Sequence, residues 1–256
     1  MSLQLPRVAA LASRLEVLDE AGSTNTELVV RAASGWPDRS VLVTDRQTAG
    51  RGRLGRAWTA PPGTSLAVSV LVRPAIPPER YGWLSLLAGA AMTDAVRSLG
   101  GAADLKWPND VLIGGRKVCG ILAEVLPDGS GAVLGAGLNH SIPAESLPVP
   151  TATSLAVEGL PADADAALAA YLERLWGLLD ALEGAHGDPG TSGLHAAVLR
   201  VCSTIGSRVQ VQLPGGDIAT GTATGLDADG RLEVASDRDA TPLVVAAGDV
   251  THLRYE

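Results

Sequence analysis

At the centre of the chain's organisation lies Gln47-Thr-Ala-Gly-Arg-Gly-Arg-Leu-Gly-Arg-Ala-Trp58, a stretch rich in arginine and glycine. With Arg46 it places four arginines within eleven residues of a protein whose formal net charge is -8. Glycines let a backbone approach a ligand closely, and guanidinium groups match carboxylates and phosphates. The stretch therefore predicts a loop that binds a small anionic ligand. The alternative interpretation is a solvated surface loop.

The glycine spacing of residues 50–55, Gly-x-Gly-x-x-Gly, also matches the dinucleotide-binding fingerprint, which requires a helix to begin at the glycines. Here Ala60-Pro-Pro-Gly63 follows instead, and then a strand-like run over residues 64–72. A kinase glycine loop would need an Asp-Phe-Gly motif elsewhere, and the chain contains no Phe. The Gly-Lys pair of a P-loop is absent as well. These nucleotide-binding classes are excluded.

Composition narrows the class of protein. The chain has 256 residues, 46% of them hydrophobic and 19% charged, so it can bury a large core and a smaller second one. Its acidic balance argues against nucleic-acid and membrane-surface binding. The longest apolar run, Leu84 to Met92, is too short to span a bilayer, and no signal peptide is visible. Cys119 and Cys202 form neither a disulfide framework nor a zinc pattern, so we expect a cytoplasmic protein.

Apolar periodicity predicts alternating helices and strands over the first two hundred residues. A capping box of Thr24 and Glu27 is expected to start the second helix, and the proline-rich residues 142–161 are expected to form a surface connection. The predicted helices cover residues 3–15, 23–35, 77–99, 163–182 and 195–201. The predicted strands cover residues 16–19, 41–43, 65–72, 111–113, 116–125 and 133–139.

Several polar residues stand out against this background. Ser23-Thr-Asn25 opens a helix, where hydroxyl and amide groups either cap the helix or bind a polar ligand. Lys106 and Lys117 are the only lysines, against eighteen arginines, and Lys117 suggests a compact point charge at the start of a strand. Gly135 and Gly137 predict a close backbone approach in the last strand of this region.

The sequence pattern changes near Ser203, from long helices and strands to short strands separated by turns. Short alternating strands at residues 209–211, 218–223, 232–234 and 243–245 are separated by the turns Pro214-Gly-Gly216 and Asp227-Ala-Asp-Gly230. This pattern is typical of a small closed barrel. We therefore predict two domains, residues 1–203 and 204–256. The four histidines lack ligand spacing, and we expect none to be catalytic or metal-bound.

Five motifs, taken in their order along the chain, resemble those of the biotin protein ligases. They are Gly22-Ser-Thr-Asn25, Gln47–Trp58, Lys106-Trp-Pro-Asn-Asp110, Gly115-Arg-Lys117 through Glu124, and Gly135-Ala-Gly-Leu-Asn139. The resemblance implies an α+β catalytic domain related to class II aminoacyl-tRNA synthetases, followed by a C-terminal small SH3-like β-barrel. It also implies the monofunctional type, without an N-terminal DNA-binding domain. Cys119 stands where the family more often has alanine.

The activity implied by the resemblance is an ATP- and Mg²⁺-dependent ligation. Biotin is activated as biotinyl-5'-AMP and then transferred to a lysine of a biotin carboxyl carrier protein. The expected partners are biotin, ATP and that carrier, with no nucleic acid and no membrane, and the chain is expected to be a monomer or weak homodimer. A lipoate-type ligase, a non-catalytic biotin sensor and a nucleic-acid-binding protein remain as alternatives.

The resemblance also implies roles for individual residues. Lys117 and Arg53 are the catalytic residues, because two unit charges about 4 Å apart repel by roughly 4 kcal/mol at an effective dielectric constant near 20 and need cations between them. The residues implied to bind biotin are Ser23, Thr24, Asn25, Gln47, Arg51, Gly52, Arg53 and Lys117. Those implied to bind ATP or the adenylate are Arg56, Trp58, Asn109, Asp110 and Asn139, with Asp110 also a ligand of Mg²⁺.

Overall fold

The computed structural model describes residues 3–212, 218–237, 241–246 and 249–253. Its larger part is built on a seven-stranded sheet with the order β1-β2-β3-β7-β6-β5-β4. The strands are β1 (Arg14–Val17), β2 (Ser40–Thr44), β3 (Ser65–Val72), β4 (Ala103–Lys106), β5 (Asp110–Ile113), β6 (Arg116–Val125) and β7 (Ala132–Asn139). Strands β1 and β2 pair in parallel, and the other neighbours are antiparallel. The predicted α+β class is confirmed.

Helices cover both faces of this sheet. They are α1 (Pro6–Leu11), α2 (Thr24–Ala33), α3 (Gly82–Ser98), α4 (Ala164–Gly184) and α5 (Leu194–Val201). Helix α2 packs on β2, β3 and β7, whereas α3 packs on β4 to β7 and is covered by α4 and α5. Every residue of β3 is buried, because a central strand covered on both faces has no solvent side.

In this region one prediction was wrong, one strand was missed and one prediction was incomplete. Thr24 and Glu27 form no capping box, because Ser23 is the N-cap and makes no side-chain capping bond. Residues 103–106 form a strand that the apolar pattern did not predict. The connection over residues 142–161 is not merely a surface segment, since Thr153, Ser154 and Leu155 are fully buried. Its backbone pairs with Lys117 and Asn139, which draws it against the sheet.

Predicted element ends also shifted by a few residues. The first helix is shorter than expected and ends at Leu11, because the chain must extend to let β1 pair with β2. The long helix predicted over residues 77–99 begins at Gly82, after a 3-10 turn over Pro78–Tyr81. Asp163 caps the long helix α4 by accepting a hydrogen bond from the Ala166 N–H at 3.0 Å.

The C-terminal part contains five antiparallel strands in the order β11-β10-β9-β8-β12. They are β8 (Arg208–Gln212), β9 (Ile218–Leu226), β10 (Leu232–Ser236), β11 (Leu243–Val245) and β12 (Asp249–His252). The predicted turn at residues 227–230 is confirmed, with Gly230 at φ 78°, whereas the turn at 214–216 lies outside the described residues. Within those residues β11 and β12 do not pair, so closure into a barrel stays a prediction.

The two parts of the molecule are joined by hydrogen bonds. Trp83 Nε1 donates to the Ala228 carbonyl at 2.9 Å. The backbone N–H of Trp107 donates to Thr204 Oγ1 at 2.9 Å, and its indole N–H donates to the Gly230 carbonyl at 3.1 Å. Trp107, in the sequence motif before β5, is therefore held by the C-terminal part. Among the described residues, no helix has the length and apolarity needed to cross a bilayer.

Candidate active site

A cavity of about 310 Å³ opens between the start of α2, the loop of residues 47–58, the segment before β5, strands β6 and β7, and strand β12. We call residues 47–58 the covering loop. Of the predicted site residues, Asn139 alone does not line this cavity. The predicted residues that do line it are Ser23, Thr24, Asn25, Gln47, Arg51, Gly52, Arg53, Arg56, Trp58, Asn109, Asp110 and Lys117.

The start of α2 forms the polar floor of the cavity, which we define as Ser23, Thr24, Asn25 and Gln47. The first three are buried. Thr24 donates to Gln47 Oε1 from its backbone N–H at 2.8 Å and lies 3.2 Å from it through its hydroxyl. Asn25 Nδ2 donates to the Leu122 carbonyl at 3.1 Å and to Glu124 Oε2 at 2.7 Å. These groups are therefore held in fixed orientations before a ligand arrives.

Ser69 lies beneath the floor and was missed by the sequence analysis. It is fully buried on β3, and its Oγ lies 2.6 Å from Asn25 Oδ1 and 2.8 Å from Thr24 Oγ1. Because both N–H groups of the Asn25 amide are directed at acceptors, Oδ1 must accept, and the Ser69 hydroxyl donates to it. The available signal was a serine in the middle of an otherwise apolar run.

Glycines make room for the side chains of the site. A Cβ on Gly135 would lie 2.3 Å from Asn25 Oδ1, and one on Gly137 would lie 2.7 Å from Trp58 Cε2. A Cβ on Gly50 would lie 2.4 Å from the Trp58 carbonyl oxygen. At separations under 3.0 Å the neighbouring group would have to shift. The close approach predicted at Gly135 and Gly137 is confirmed, and the groups that approach are side chains of the protein.

Lys117 presents its ammonium group to the cavity. Its Nζ lies 2.5 Å from Asp110 Oδ1, with both side chains partly exposed. A Cβ on Gly120 would lie 2.9 Å from Lys117 Cε and Nζ, so the lysine side chain lies across Gly120 and would have to move if that residue carried a side chain. The arrangement fixes a point charge beside a carboxylate and leaves it open to an anionic ligand.

The covering loop is tied down on two sides through its arginines. Arg53 Nη1 donates to Asn109 Oδ1 at 3.2 Å, and Asn109 Nδ2 donates to the Ile121 carbonyl at 2.8 Å. Arg51 Nη2 donates to Glu124 Oε2 at 2.9 Å and to Thr26 Oγ1 at 3.1 Å. Thr26 and Glu124 were not predicted as site residues.

Positive charge dominates the cavity. The positively charged residues that line it are Lys106, Lys117 and three arginines of the covering loop, whereas Asp110 supplies the negative charge among the lining residues. Burial lowers the pKa of Arg53, and it likewise lowers the pKa of Lys106. A cavity that removes cations from water without supplying an equal number of carboxylates is suited to a ligand with more than one negative charge.

Asn139 lies outside the lining of the cavity. Asn139 Nδ2 donates to the Thr153 carbonyl at 2.8 Å, which ties the end of β7 to the buried connection that follows it. Its contact with adenine stays a prediction. Within the described part of the chain, no three His, Cys, Asp or Glu residues cluster as a ready-made metal site. Cys119 and Cys202 are free and buried, and burial raises the pKa of Cys119 to about 12.

Known proteins are similar to this chain in sequence and in architecture. Residues 20–139 match the biotin/lipoate A/B protein ligase family, and residues 204–253 match the biotin protein ligase C-terminal domain. A Mycobacterium tuberculosis protein named biotin--[acetyl-CoA-carboxylase] ligase is 44% identical over 250 residues, which cover 94% of this chain and 90% of that protein. The Escherichia coli bifunctional ligase/repressor BirA is 36% identical over 130 residues, 49% of this chain and 40% of that protein.

Solved structures agree with the sequence relatives. The Aquifex aeolicus biotin protein ligase in complex with biotin and ATP superposes with a TM-score of 0.76 at 26% identity, covering 94% of this chain and all of that one. The Leishmania major biotin protein ligase in complex with biotinyl-5-AMP shares the fold with a TM-score of 0.58 at 24% identity, covering 95% of this chain and 99% of that one. Because the likeness in sequence extends over almost the full length of a biotin ligase and the fold agrees throughout, this chain belongs to the biotin protein ligase family.

Proposed function

We propose that the protein is an ATP-dependent ligase that activates biotin as biotinyl-5'-AMP and transfers it to a lysine of a biotin carboxyl carrier protein. The observation that carries the proposal is the Lys117 ammonium group, which is held by Asp110 and presented to a cavity that Lys106 and three arginines of the covering loop also line. The name of the M. tuberculosis relative and the biotin and ATP held by the A. aeolicus structure support it.

The chemistry suits a site without a general base. A biotin carboxylate oxygen attacks the α-phosphorus of ATP, the bond to the bridging oxygen breaks, and pyrophosphate leaves with that electron pair. The carboxylate is already anionic and needs no deprotonation. The obstacle is repulsion between two anions, roughly 4 kcal/mol per pair of unit charges about 4 Å apart at an effective dielectric constant near 20. A preorganised cation at Lys117 offsets it where charge accumulates.

The second step needs a neutral amine from the carrier. The lysine nitrogen attacks the acyl carbon of the mixed anhydride, an amide bond forms, AMP leaves with the electrons of the broken C–O bond, and the amine loses a proton. The intermediate must be retained until the carrier arrives. We assign this retention to Arg53 and Arg56 of the covering loop.

We assign the remaining roles from position in the cavity. The floor residues Ser23, Thr24, Asn25 and Gln47, with Gly52 and Arg51 nearby, surround the biotin ring and its carboxylate end. Trp58 stacks on the adenine base. Asn109 and Asp110 face the phosphates, and Asn139 at the end of β7 contacts the adenine edge. These assignments rest on family likeness and on the cavity lining together, except that of Asn139, which rests on family likeness alone.

Mg²⁺ fits the donor set near the phosphates. Asp110 supplies a carboxylate and Asn109 an amide oxygen, the hard oxygen ligands that Mg²⁺ takes together with substrate phosphates. When bound, the ion neutralises charge on the triphosphate. Asp110 then has a double task, because its Oδ1 also holds Lys117.

We also propose the division into a catalytic domain of residues 1–203 and a C-terminal domain of residues 204–256. The family model that begins at residue 204 supports it. A cytoplasmic location is supported by the need for ATP and by the two free cysteines, since free thiols are usual in reducing compartments.

The test is pyrophosphate release with biotin, ATP and Mg²⁺, each omitted in turn, followed by mass measurement of a carrier domain. We expect release to require all three, and the carrier to gain one biotinyl group on a lysine. Lipoate that supports the reaction as well as biotin would make the substrate assignment wrong. Biotin that raises the melting temperature without any pyrophosphate release would instead identify a biotin sensor.

A further inference from the structure

Glu124 lies on β6 at the edge of the site and has no assigned role. Its Oε2 accepts two hydrogen bonds, from Asn25 Nδ2 at 2.7 Å and from Arg51 Nη2 at 2.9 Å. Asn25 belongs to the cavity floor and Arg51 to the covering loop. A single carboxylate oxygen therefore joins the two surfaces between which biotin is proposed to bind.

We propose that Glu124 is a positioning residue that holds the covering loop against the biotin-binding floor. It touches no reacting atom. It acts through Arg51. Without Glu124, the Arg51 guanidinium would keep only a neutral acceptor, Thr26 Oγ1 at 3.1 Å. This inference deepens the proposed function and rests on it for the identity of the ligand, whereas the tie between floor and loop is independent of that identity.

The carboxylate also determines the orientation of the floor. As an acceptor only, Glu124 requires an N–H group from Asn25, which leaves Asn25 Oδ1 to accept from Ser69. Without that acceptor, one N–H of Asn25 is unsatisfied, and the amide is held only by its bonds to the Leu122 carbonyl and Ser69. The consequence would reach Thr24, whose hydroxyl contacts Ser69. Loss of Glu124 is therefore expected to affect the binding of biotin more than the chemical step.

An ion pair that merely stabilises the fold is the alternative. The Glu124 side chain is 28% exposed and that of Arg51 is 48% exposed, and pairs this exposed contribute little to global stability. The two interpretations differ in what they predict for the ligand-free loop. A positioning role requires that the covering loop open more often when Glu124 is changed, with the melting temperature almost unchanged.

Two variants separate the charge from the hydrogen bonds. Both hydrogen bonds end on one oxygen of Glu124, so the amide oxygen of Glu124→Gln can accept both while the negative charge is lost. Glu124→Ala loses the charge and both hydrogen bonds. In Glu124→Ala we expect trypsin to cut ligand-free protein after Arg53 and Arg56 about tenfold faster, and the biotin KM to rise about ten- to a hundredfold, with kcat less affected. Glu124→Gln should recover most of the biotin KM but only part of the protection from trypsin.

The control is Glu16→Gln, which removes the charge from a comparable pair with Arg31 on α2, away from the cavity. It should leave loop cleavage and biotin KM unchanged. Wild-type loop cleavage in Glu124→Ala would overturn the proposal, whatever the biotin KM of the variant. If that variant does not fold, a cycle of Glu124→Gln with Arg51→Gln decides: the double variant should be cut like Arg51→Gln alone, and additive effects would overturn the inference.

The trypsin assay contains no biotin, so its outcome does not depend on the proposed function. A wild-type protein that releases no pyrophosphate would contradict that function, yet faster cleavage of Glu124→Ala would still support the tie between floor and loop. Conversely, an active wild-type enzyme with unaltered cleavage in the variant would contradict the tie alone.

Discussion

The indole of Trp58 occupies the space where Gly137 lacks a side chain, with Cε2 only 2.7 Å from the position a Cβ would take. Gly137 lies in the middle of β7, a strand buried at nearly every position. The covering loop and the central sheet are therefore fitted to each other at one glycine. This relationship explains how an aromatic residue at the end of the loop can approach the sheet so closely.

Gly137→Ala should displace Trp58 and weaken the binding of ATP. Stacking of a base on an aromatic side chain contributes about 1–3 kcal/mol, so the KM for ATP should rise about ten- to a hundredfold. Steady-state pyrophosphate release at saturating biotin measures it. Gly177→Ala, on the exposed face of α4 with open space around it, is the matched control. An unchanged KM for ATP would show that the proposed stacking position is wrong.

Lys117→Ala should slow the first step by about 10²–10³, the usual effect of removing one preorganised group that stabilises developing charge. The melting temperature should change little, because the pair with Asp110 is partly exposed. Single-turnover pyrophosphate release measures the rate. Arg116→Ala, which removes the neighbouring charge outside the cavity, should retain activity. Near-wild-type release from Lys117→Ala would place the critical cation elsewhere, with Arg53 the next candidate.

Arg53→Gly should release the adenylate prematurely. The change removes the bond to Asn109 and loosens a loop already rich in glycine. Loss of a charge-assisted hydrogen bond raises the off-rate about ten- to a hundredfold. Albumin incubated with the variant, biotin and Mg-ATP should then become biotinylated, increasingly so at higher pH as its lysines deprotonate.

The comparison for that experiment is Arg46→Gly, since Arg46 forms an exposed pair with Glu20 just before the covering loop. It should leave albumin unlabelled. If Arg53→Gly still makes pyrophosphate and albumin also stays unlabelled, a group other than Arg53 retains the intermediate.

Thr204→Val should destabilise the protein by about 1–3 kcal/mol in free energy of unfolding, the cost of leaving a buried donor without a partner. The hydroxyl is fully buried and accepts the backbone N–H of Trp107. Urea denaturation measures the loss. Thr224→Val removes an exposed hydroxyl on β9 of the C-terminal sheet and should change stability by less than about 0.5 kcal/mol. Equal effects at the two positions would contradict a specific role for the bond to Trp107.

The free energy of unfolding should depend on pH through the ionisation of Asp237. Hydrogen bonds from Arg208 at 2.5 and 2.7 Å lower the pKa of this carboxyl from 3.8 to about 2. A depressed pKa means that its contribution is present above pH 3.8 and is lost as the pH falls toward about 2. Asp237→Asn should therefore flatten the change in unfolding free energy over that interval, as measured by denaturation at several pH values. A slope identical to that of the wild type would contradict this origin.

The local sequence pattern alone determined many of the helices and strands of this protein. Alternating and helical periodicity predicted strands such as β3 and helices such as α4, because each buries one or both faces against a core. The charge and glycine content of the covering loop predicted an anion-binding segment, and the isolation of Lys117 among arginines indicated a special cation. The five motifs predicted the family in advance of any fold.

Only the tertiary structure decided how polar residues far apart in the chain meet. Glu124 is 99 residues from Asn25 and 73 from Arg51, and Thr204 is 97 residues from Trp107. Periodicity specifies which face of a strand is buried. It does not specify which polar groups of two strands or helices come within hydrogen-bonding distance. That depends on strand order and register, which are determined by packing of the whole core. Hydrophobic burial is non-directional and is satisfied by many arrangements, whereas a hydrogen bond requires a defined distance and angle between its two groups.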